Sequence, residues 1–283
     1  MKFLICQIPL QLKSDPFEIV NIQEHIETKK KCIEYAEKNN VEVVIFPEYS
    51  YHPTEEDYLL QKSEKMIIFA GSYQDKNNFN MNMIFQNGEL FNQAKINLSP
   101  YENSAFYNNP VVGSSKTQLG YIEFSNNGTK IKTLPLVCFD YIHYYRGQGI
   151  DFGFALKKEN IQLVVSQCCN NEPYKFFEYA QVHHNDYGFT SIFCNVSKLI
   201  IDGEEKGTYG KSSVFGLHSK NFLDSRHKDF INKNFSNMIM FLPEGEGVCI
   251  IYLQIQYIIT PALSIDYEIN PKEIKYTKLV DLK

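Results

Sequence analysis

The stretch at residues 41–46, Val-Glu-Val-Val-Ile-Phe, is apolar at five of its six positions and does not alternate. A strand with this pattern has no polar face to turn toward water. It must be covered on both sides, which calls for a sheet with other layers packed on each face. The run stops at Pro47-Glu48. Two further apolar segments also carry a reactive residue at or near their ends. Leu-Pro-Leu-Val at 134–137 runs into Cys138-Phe139-Asp140, and the segment 91–98 carries Lys95. Strands of α/β sheets end at the face where ligands are handled. A carboxylate, an amine and a thiol at three such ends are the parts of an activated cysteine nucleophile.

The remaining pattern supports a layered α/β arrangement. Residues 2–10 read as a buried strand. Asp15-Pro16 opens a helix, with Asp15 as cap and Glu18 three residues on. Ile19, Ile22, Ile26, Ile33 and Ala36 lie on one face of that helix at helical spacing, and Asn39-Asn40 stops it. Lys29, Lys30 and Lys31 read as its solvated side. A short polar helix at 55–65 leads to a strand at 66–73. Asn87-Gly88 between apolar flanks signals a hairpin, and the turn at 125–128 signals a second one between strands 120–124 and 131–137. Helices are expected at 149–156 and 173–184, strands at 161–165, 189–195, 212–217 and 247–255, and a surface loop at 219–237. Alternating strands and helices with inserted hairpins make a mixed layered domain. With no linker in view, residues 1–283 read as a single domain.

Composition narrows the function. The 28 Lys and Arg against 33 Asp and Glu leave a net charge of −5 without a basic block, so no nucleic-acid partner is expected. No apolar run is long enough to span a bilayer, and the first ten residues lack the features of a signal peptide. Seven cysteines without a framework spacing fit reduced thiols in the cytoplasm.

A cysteine thiol is a weak nucleophile until it loses its proton, which in a free cysteine happens near pH 8.5, roughly. Glu48 can take that proton. Lys95 can stabilise the thiolate and then the oxyanion formed when sulfur attacks a carbonyl or nitrile carbon. By chain position the Phe139 N–H is a second oxyanion donor. Glu48 would later protonate the departing amine and activate water.

At this point the chain resembles the nitrilase, or carbon–nitrogen hydrolase, superfamily, over residues 2–253. Gln7 on the opening strand is similar to the family's start. Phe46-Pro47-Glu48 resembles its base motif, Lys95-Ile96-Asn97-Leu98-Ser99-Pro100-Tyr101-Glu102 its lysine motif with an accessory glutamate, and Cys138-Phe139-Asp140 its nucleophile motif. Asn195 and the segment Tyr209-Gly210-Lys211-Ser212-Ser213 resemble later family segments. The resemblance implies a four-layer α-β-β-α sandwich and amide hydrolysis through a thioester on Cys138. It assigns Glu48 as base, Lys95 as stabiliser of the tetrahedral intermediate and Glu102 as the residue that orients Lys95 or shares proton handling. It implies no metal or organic cofactor, a small-molecule amide or nitrile as substrate, and a homodimer or larger assembly.

The chain departs from the family pattern at three places. His143-Tyr144-Tyr145 replaces an aromatic-Pro-Glu group, the interval from Glu48 to Lys95 is short, and Cys168-Cys169 stand near the pocket wall. His143, Tyr144, Cys168 and Asn195 are accordingly the expected pocket residues. These departures also motivate a competing reading as a nitrilase-like binding or effector module. A metal or redox site built from Cys168, Cys169, His183, His184 and Cys194 fits the ligand spacing of zinc sites poorly. His143 as a cysteine-protease-type base stands only five residues from Cys138.

Overall fold

The computed structural model describes residues 1–102, 108–115, 120–126, 128–143, 156–216, 235, 237–245, 247–253 and 274–282. Among these residues seven strands form one sheet, in the order β17 (Ile274–Thr277), β16 (Gly247–Tyr252), β1 (Lys2–Gln7), β4 (Val43–Ile45), β5 (Ile67–Gln74), β6 (Asn80–Gln86) and β7 (Glu89–Ala94). Six form a second, in the order β15 (Met238–Leu242), β14 (Ser212–Phe215), β11 (Thr190–Asn195), β10 (Leu163–Cys168), β9 (Thr129–Val137) and β8 (Ile122–Asn126). Each sheet has a parallel centre, β1-β4-β5 in one and β9-β10-β11 in the other, flanked by antiparallel strands.

Three buried clusters define the layers. Phe3, Ile5, Ile45 and Phe69 of the first sheet meet Ile131, Val165, Ile192 and Val214 of the second. On the outer face of the first sheet, Leu4, Val44, Phe46 and Ile68 are covered by Cys32, Ile33 and Ala36 of α1 (Ile22–Lys38) and Leu59 of α2 (Glu56–Ser63). On the outer face of the second, Leu134, Val164 and Phe193 are covered by Phe176, Phe177 and Ala180 of the helix Tyr174–Tyr187. The order is α-β-β-α, as the apolar runs require. Burying each large side chain contributes about 2 kcal/mol. The Asn87-Gly88 hairpin forms as expected between β6 and β7, with both turn residues at positive φ (55° and 74°). The expected helix at 149–156 lies outside the described residues except Leu156, and the loop at 219–237 lies outside them except Phe235 and Asn237. Among the described residues no helix is long and apolar enough to cross a membrane.

Two early expectations are corrected. Asp15-Pro16 does not open a helix; it turns a hairpin between β2 (Leu10–Ser14) and β3 (Phe17–Ile19), in which Leu12 pairs with Ile19. Asp15 accepts 2.9 Å hydrogen bonds from the backbone and side-chain nitrogens of both Asn108 and Asn109, so its carboxylate serves a distant segment rather than a helix end. The helix begins only at Ile22. Its buried face carries His25, Lys29, Cys32, Ile33 and Ala36, with Ile22 and Ile26 only half-buried. Lys29 is therefore not solvated. Its ammonium donates to the carbonyls of Ser50 and Ala70, each at 2.9 Å, and to the Glu55 carboxylate. His25 donates from Nε2 to the same Ser50 carbonyl at 2.7 Å. The helix can bury these polar positions because the turn after β4 supplies their partners.

A small third sheet, in the order β13 (Glu204–Glu205), β12 (Leu199–Ile201), β2, β3, lies outside the sandwich. It joins the early hairpin to a late one through parallel pairing of Leu199 with Leu10.

Candidate active site

The ends of β4, β7 and β9 bring Glu48, Lys95 and Cys138 together. The tie between the two main sheets is made at this point. Gln167 donates from Nε2 to the Phe46 carbonyl at 2.9 Å, and the Glu48 N–H points to the Cys168 carbonyl at 3.4 Å. The turn at 47–50 lies flush on β5, where Gly71 has φ 101° and a Cβ would stand 2.1 Å from Ser50 Oγ and 2.6 Å from the Pro47 carbonyl. Only glycine fits there.

Lys95 Nζ donates to Glu48 Oε1 and to Glu102 Oε2, each at 2.7 Å, and all three side chains are almost wholly buried. One cation faces two carboxylates. Asn80 Nδ2 bridges the pair at 2.9 Å to each. Glu102 gains two further donors, the Tyr49 hydroxyl at 2.7 Å and the Ser99 N–H at 2.8 Å. The two acids are thereby driven apart. Burial pushes Glu48 up to about 7, and the nearby Glu102 charge adds to the push against the opposing pull of Lys95. Burial acts on Glu102 in the same sense, but Lys95 and the extra donors hold it below its ordinary value. Burial disfavours the Lys95 ammonium, yet the charges of Glu102 and Glu48 outweigh that and keep its pKa well above the usual lysine value. Lys95–Glu102 is thus the standing ion pair, and Glu48 is the carboxyl that exchanges a proton near neutrality.

Cys138 stands at φ 43°, a left-handed conformation that costs a non-glycine residue about 1 to 3 kcal/mol. Its N–H is held by the Gln167 carbonyl at 2.9 Å, and a short helix, Asp140–His143, begins two residues on. Asp140 fixes this elbow to the lysine segment by accepting from the N–H groups of Asn97 at 2.7 Å and Ile96 at 3.1 Å. Burial pushes Asp140 up to about 6 despite those donors. The neighbouring Cys168 side chain, burial and the Glu48 charge raise the pKa of the Cys138 thiol well above the ordinary thiol value, against the opposing pull of Lys95.

A cavity of about 490 Å³ opens onto Glu48, Glu102, Cys138 and Phe139. Its apolar wall comes from the third sheet, through Leu12, Phe17, Leu199 and Ile201, and from Tyr49, Tyr101 and Tyr209. Its charged lining residues have partners: Glu48 and Glu102 share Lys95, and Lys206 donates to Glu204 at 2.5 Å.

The expected pocket residues fall differently. Cys168 and Asn195 do not line the cavity. Cys168 ends β10 behind Cys138, while its neighbour Cys169 lines the wall. Asn195 is buried beneath it, donating to the carbonyls of Asn170 at 2.6 Å and Gly210 at 2.7 Å; it shapes the wall rather than forming it. The wall on this side is built after β10 ends. His143 closes the short helix, and Tyr144 lies outside the described residues. Gln7 donates to the carbonyls of Pro243 at 2.6 Å and Gly245 at 2.8 Å and does not line the cavity. Among the described residues no group of three or more His, Cys, Asp or Glu side chains is placed to hold a metal ion. His183 lies 3.4 Å from the Tyr141 hydroxyl, and His184 donates to the Phe189 carbonyl at 3.1 Å. From the sequence, Asn80 and Tyr49 have no role, Asp140 is only part of the nucleophile motif, and the third sheet gives no sign of itself.

No protein-family model and no curated protein matches the sequence. The fold has solved counterparts. A mutant amidase from Nesterenkonia sp. AN1, seen after Michael addition of acrylamide at its active-site cysteine, aligns over 92% of this chain and 96% of its own with a TM-score of 0.62 at 13% identity. Nit3 of Saccharomyces cerevisiae, from branch 10 of the nitrilase superfamily, aligns over 88% of each chain with a TM-score of 0.55 at 15% identity. A carbon–nitrogen hydrolase superfamily protein from Xanthomonas campestris, carrying an arsenic adduct in its active site, aligns over 88% of each chain with a TM-score of 0.58 at 13% identity. The chain has the nitrilase-superfamily fold.

Proposed function

We propose that this chain, built on the nitrilase fold, is a divergent carbon–nitrogen hydrolase that cleaves a neutral amide through a thioester on Cys138. The observation that carries the reading is the buried Glu48–Lys95–Glu102 cluster beside a strained thiol at the base of a cavity. In the first half-reaction Glu48 takes the thiol proton as sulfur attacks the carbonyl carbon. The oxyanion is met by Lys95, which has a third N–H beyond the two given to carboxylates, and by the Phe139 N–H. An oxyanion donor of this kind is worth about 3 kcal/mol. Glu48 then passes its proton to the nitrogen as the C–N bond breaks and ammonia or an amine leaves. In the second half Glu48 takes a proton from water, which attacks the thioester, and the proton returns to sulfur as the acid departs.

Glu48 suits this exchange because its proton is held to about pH 7. The apolar wall and the pairing of the charged lining residues favour an uncharged acyl group. The test is an ammonia-release screen over uncharged and anionic amides and nitriles, with Cys138→Ala as control. Release from uncharged amides that the control abolishes supports the reading. No release across the panel, or release that survives the substitution, refutes it.

A further inference from the structure

Cys168 has no part in the proposed hydrolysis, yet it stands beside the nucleophile. β9 and β10 run parallel with Val137 beside Gln167, and Cys138 and Cys168 are the next residues along each strand. The Cys138 N–H bonds to the Gln167 carbonyl at 2.9 Å, so the two chains remain paired through the elbow. Neighbouring strands lie about 4.8 Å apart, within the Cα separation of roughly 4.4 to 6.8 Å that a disulfide spans. Both side chains belong to one buried cluster, and Cys168 also lies 3.4 Å from Ser166 Oγ. Access is unequal. Cys138 opens on the cavity and Cys168 stands behind it.

We propose that Cys138 and Cys168 form an oxidisable dithiol, in which hydrogen peroxide entering the cavity oxidises Cys138 and Cys168 captures the product as a disulfide. In the first step the Cys138 sulfur attacks a peroxide oxygen. The O–O bond breaks, Glu48 relays the thiol proton to the departing oxygen, and one water leaves with Cys138 as the sulfenic acid. In the second step the Cys168 sulfur attacks the sulfenic sulfur, the S–O bond breaks and a second water leaves. Two thiols and one peroxide become one disulfide and two waters. The bond removes the nucleophile but protects it from irreversible oxidation to the sulfinic acid, and a dithiol reductant restores it.

The molecule contains its own comparison. Cys6 and Cys32 also share one buried cluster, but they are fully buried and do not line the cavity. Proximity without an entry path should leave that pair reduced. Cys169 does line the cavity, so a second thiol with an entry path is represented as well.

The inference rests on the reading of Cys138 as the reactive thiol, but its readout is a bond and not turnover. The full-length protein is treated with hydrogen peroxide, quenched with an alkylating agent and digested without reductant. Peptide mass spectrometry is expected to show Cys138 joined to Cys168 with the loss of two hydrogens, fully reversed by dithiothreitol. Cys6 and Cys32 are expected to be alkylated. In Cys168→Ser, Cys138 is expected to gain two oxygens as the sulfinic acid, beyond rescue by dithiothreitol, while Cys169→Ser behaves as the parent. Three results on the unmodified sequence overturn the inference without reference to any variant: Cys138 carried to the sulfinic acid with no bridge, Cys138 joined to Cys169, or Cys138 left unoxidised. A bridge that forms in a protein releasing no ammonia from any amide or nitrile refutes the hydrolase reading alone.

Discussion

Lys95 holds Glu48 at 2.7 Å, and Glu48 nevertheless keeps its proton up to about pH 7. An ion pair normally lowers a carboxyl pKa. Here burial outweighs the ammonium, and the Glu102 carboxylate, which shares that ammonium, has more donors and remains ionised, adds to the upward push.

This arrangement sets the pH dependence of activity. Glu48 must be ionised to accept the thiol proton, so kcat/KM for ammonia release should fall below a midpoint near pH 7. Removing the Glu102 charge removes one cause of the upward shift and leaves Lys95 to Glu48 alone. Glu102→Gln should therefore move the acid limb to lower pH even if the maximal rate drops. A limb unmoved by this substitution would count against the division of roles between the two carboxylates.

Stability carries the opposite sign. The unfolded chain releases the Glu48 proton near pH 4, roughly, whereas the folded chain keeps it to about 7. The folded state binds the extra proton between those values, so its stability declines as pH rises through that window. The contribution is on the order of 3 kcal/mol, and Asp140, pushed up to about 6, adds in the same direction. Urea midpoints should fall for the parent between about pH 5 and about pH 8, and less steeply for Glu48→Gln. Parallel pH profiles for the two proteins would contradict the assignment.

The turn that carries Glu48 is held from behind by Lys29. Lys29→Met leaves Glu55 buried without its cation and should cost about 3 to 5 kcal/mol in urea unfolding. Pairing it with Glu55→Leu should recover much of the loss, because no uncompensated charge then remains. A double variant as unstable as the single one would show that the carbonyl contacts at Ser50 and Ala70, rather than the ion pair, dominate.

What could be read from the sequence was what announces itself locally. Glu48, Lys95 and Cys138 each interrupt or follow an apolar segment, and the structure brings them to one cavity or cluster. Lys29 gave no such sign: in a run of three lysines nothing shows that one faces Ser50, Ala70 and Glu55. Asn80 is a polar residue on a strand like many others, and only the meeting of two carboxylates gives it a task. Asp15-Pro16 satisfies helix-start rules, but the Leu12–Ile19 pairing and the distant Asn108 and Asn109 prevail over them. The third sheet escaped notice because its strands are short and joined across more than 180 residues.

The claim that Cys138 is the nucleophile is tested most directly by acid-quenching the protein during turnover of an uncharged amide and mapping the peptide that holds Cys138. The expected result is the mass of the acyl group on Cys138, absent from Cys138→Ala and accumulating when water attack is the slower half-reaction. Ammonia release at full rate from Cys138→Ala, or an acyl group carried by Cys169 in place of Cys138, contradicts the account.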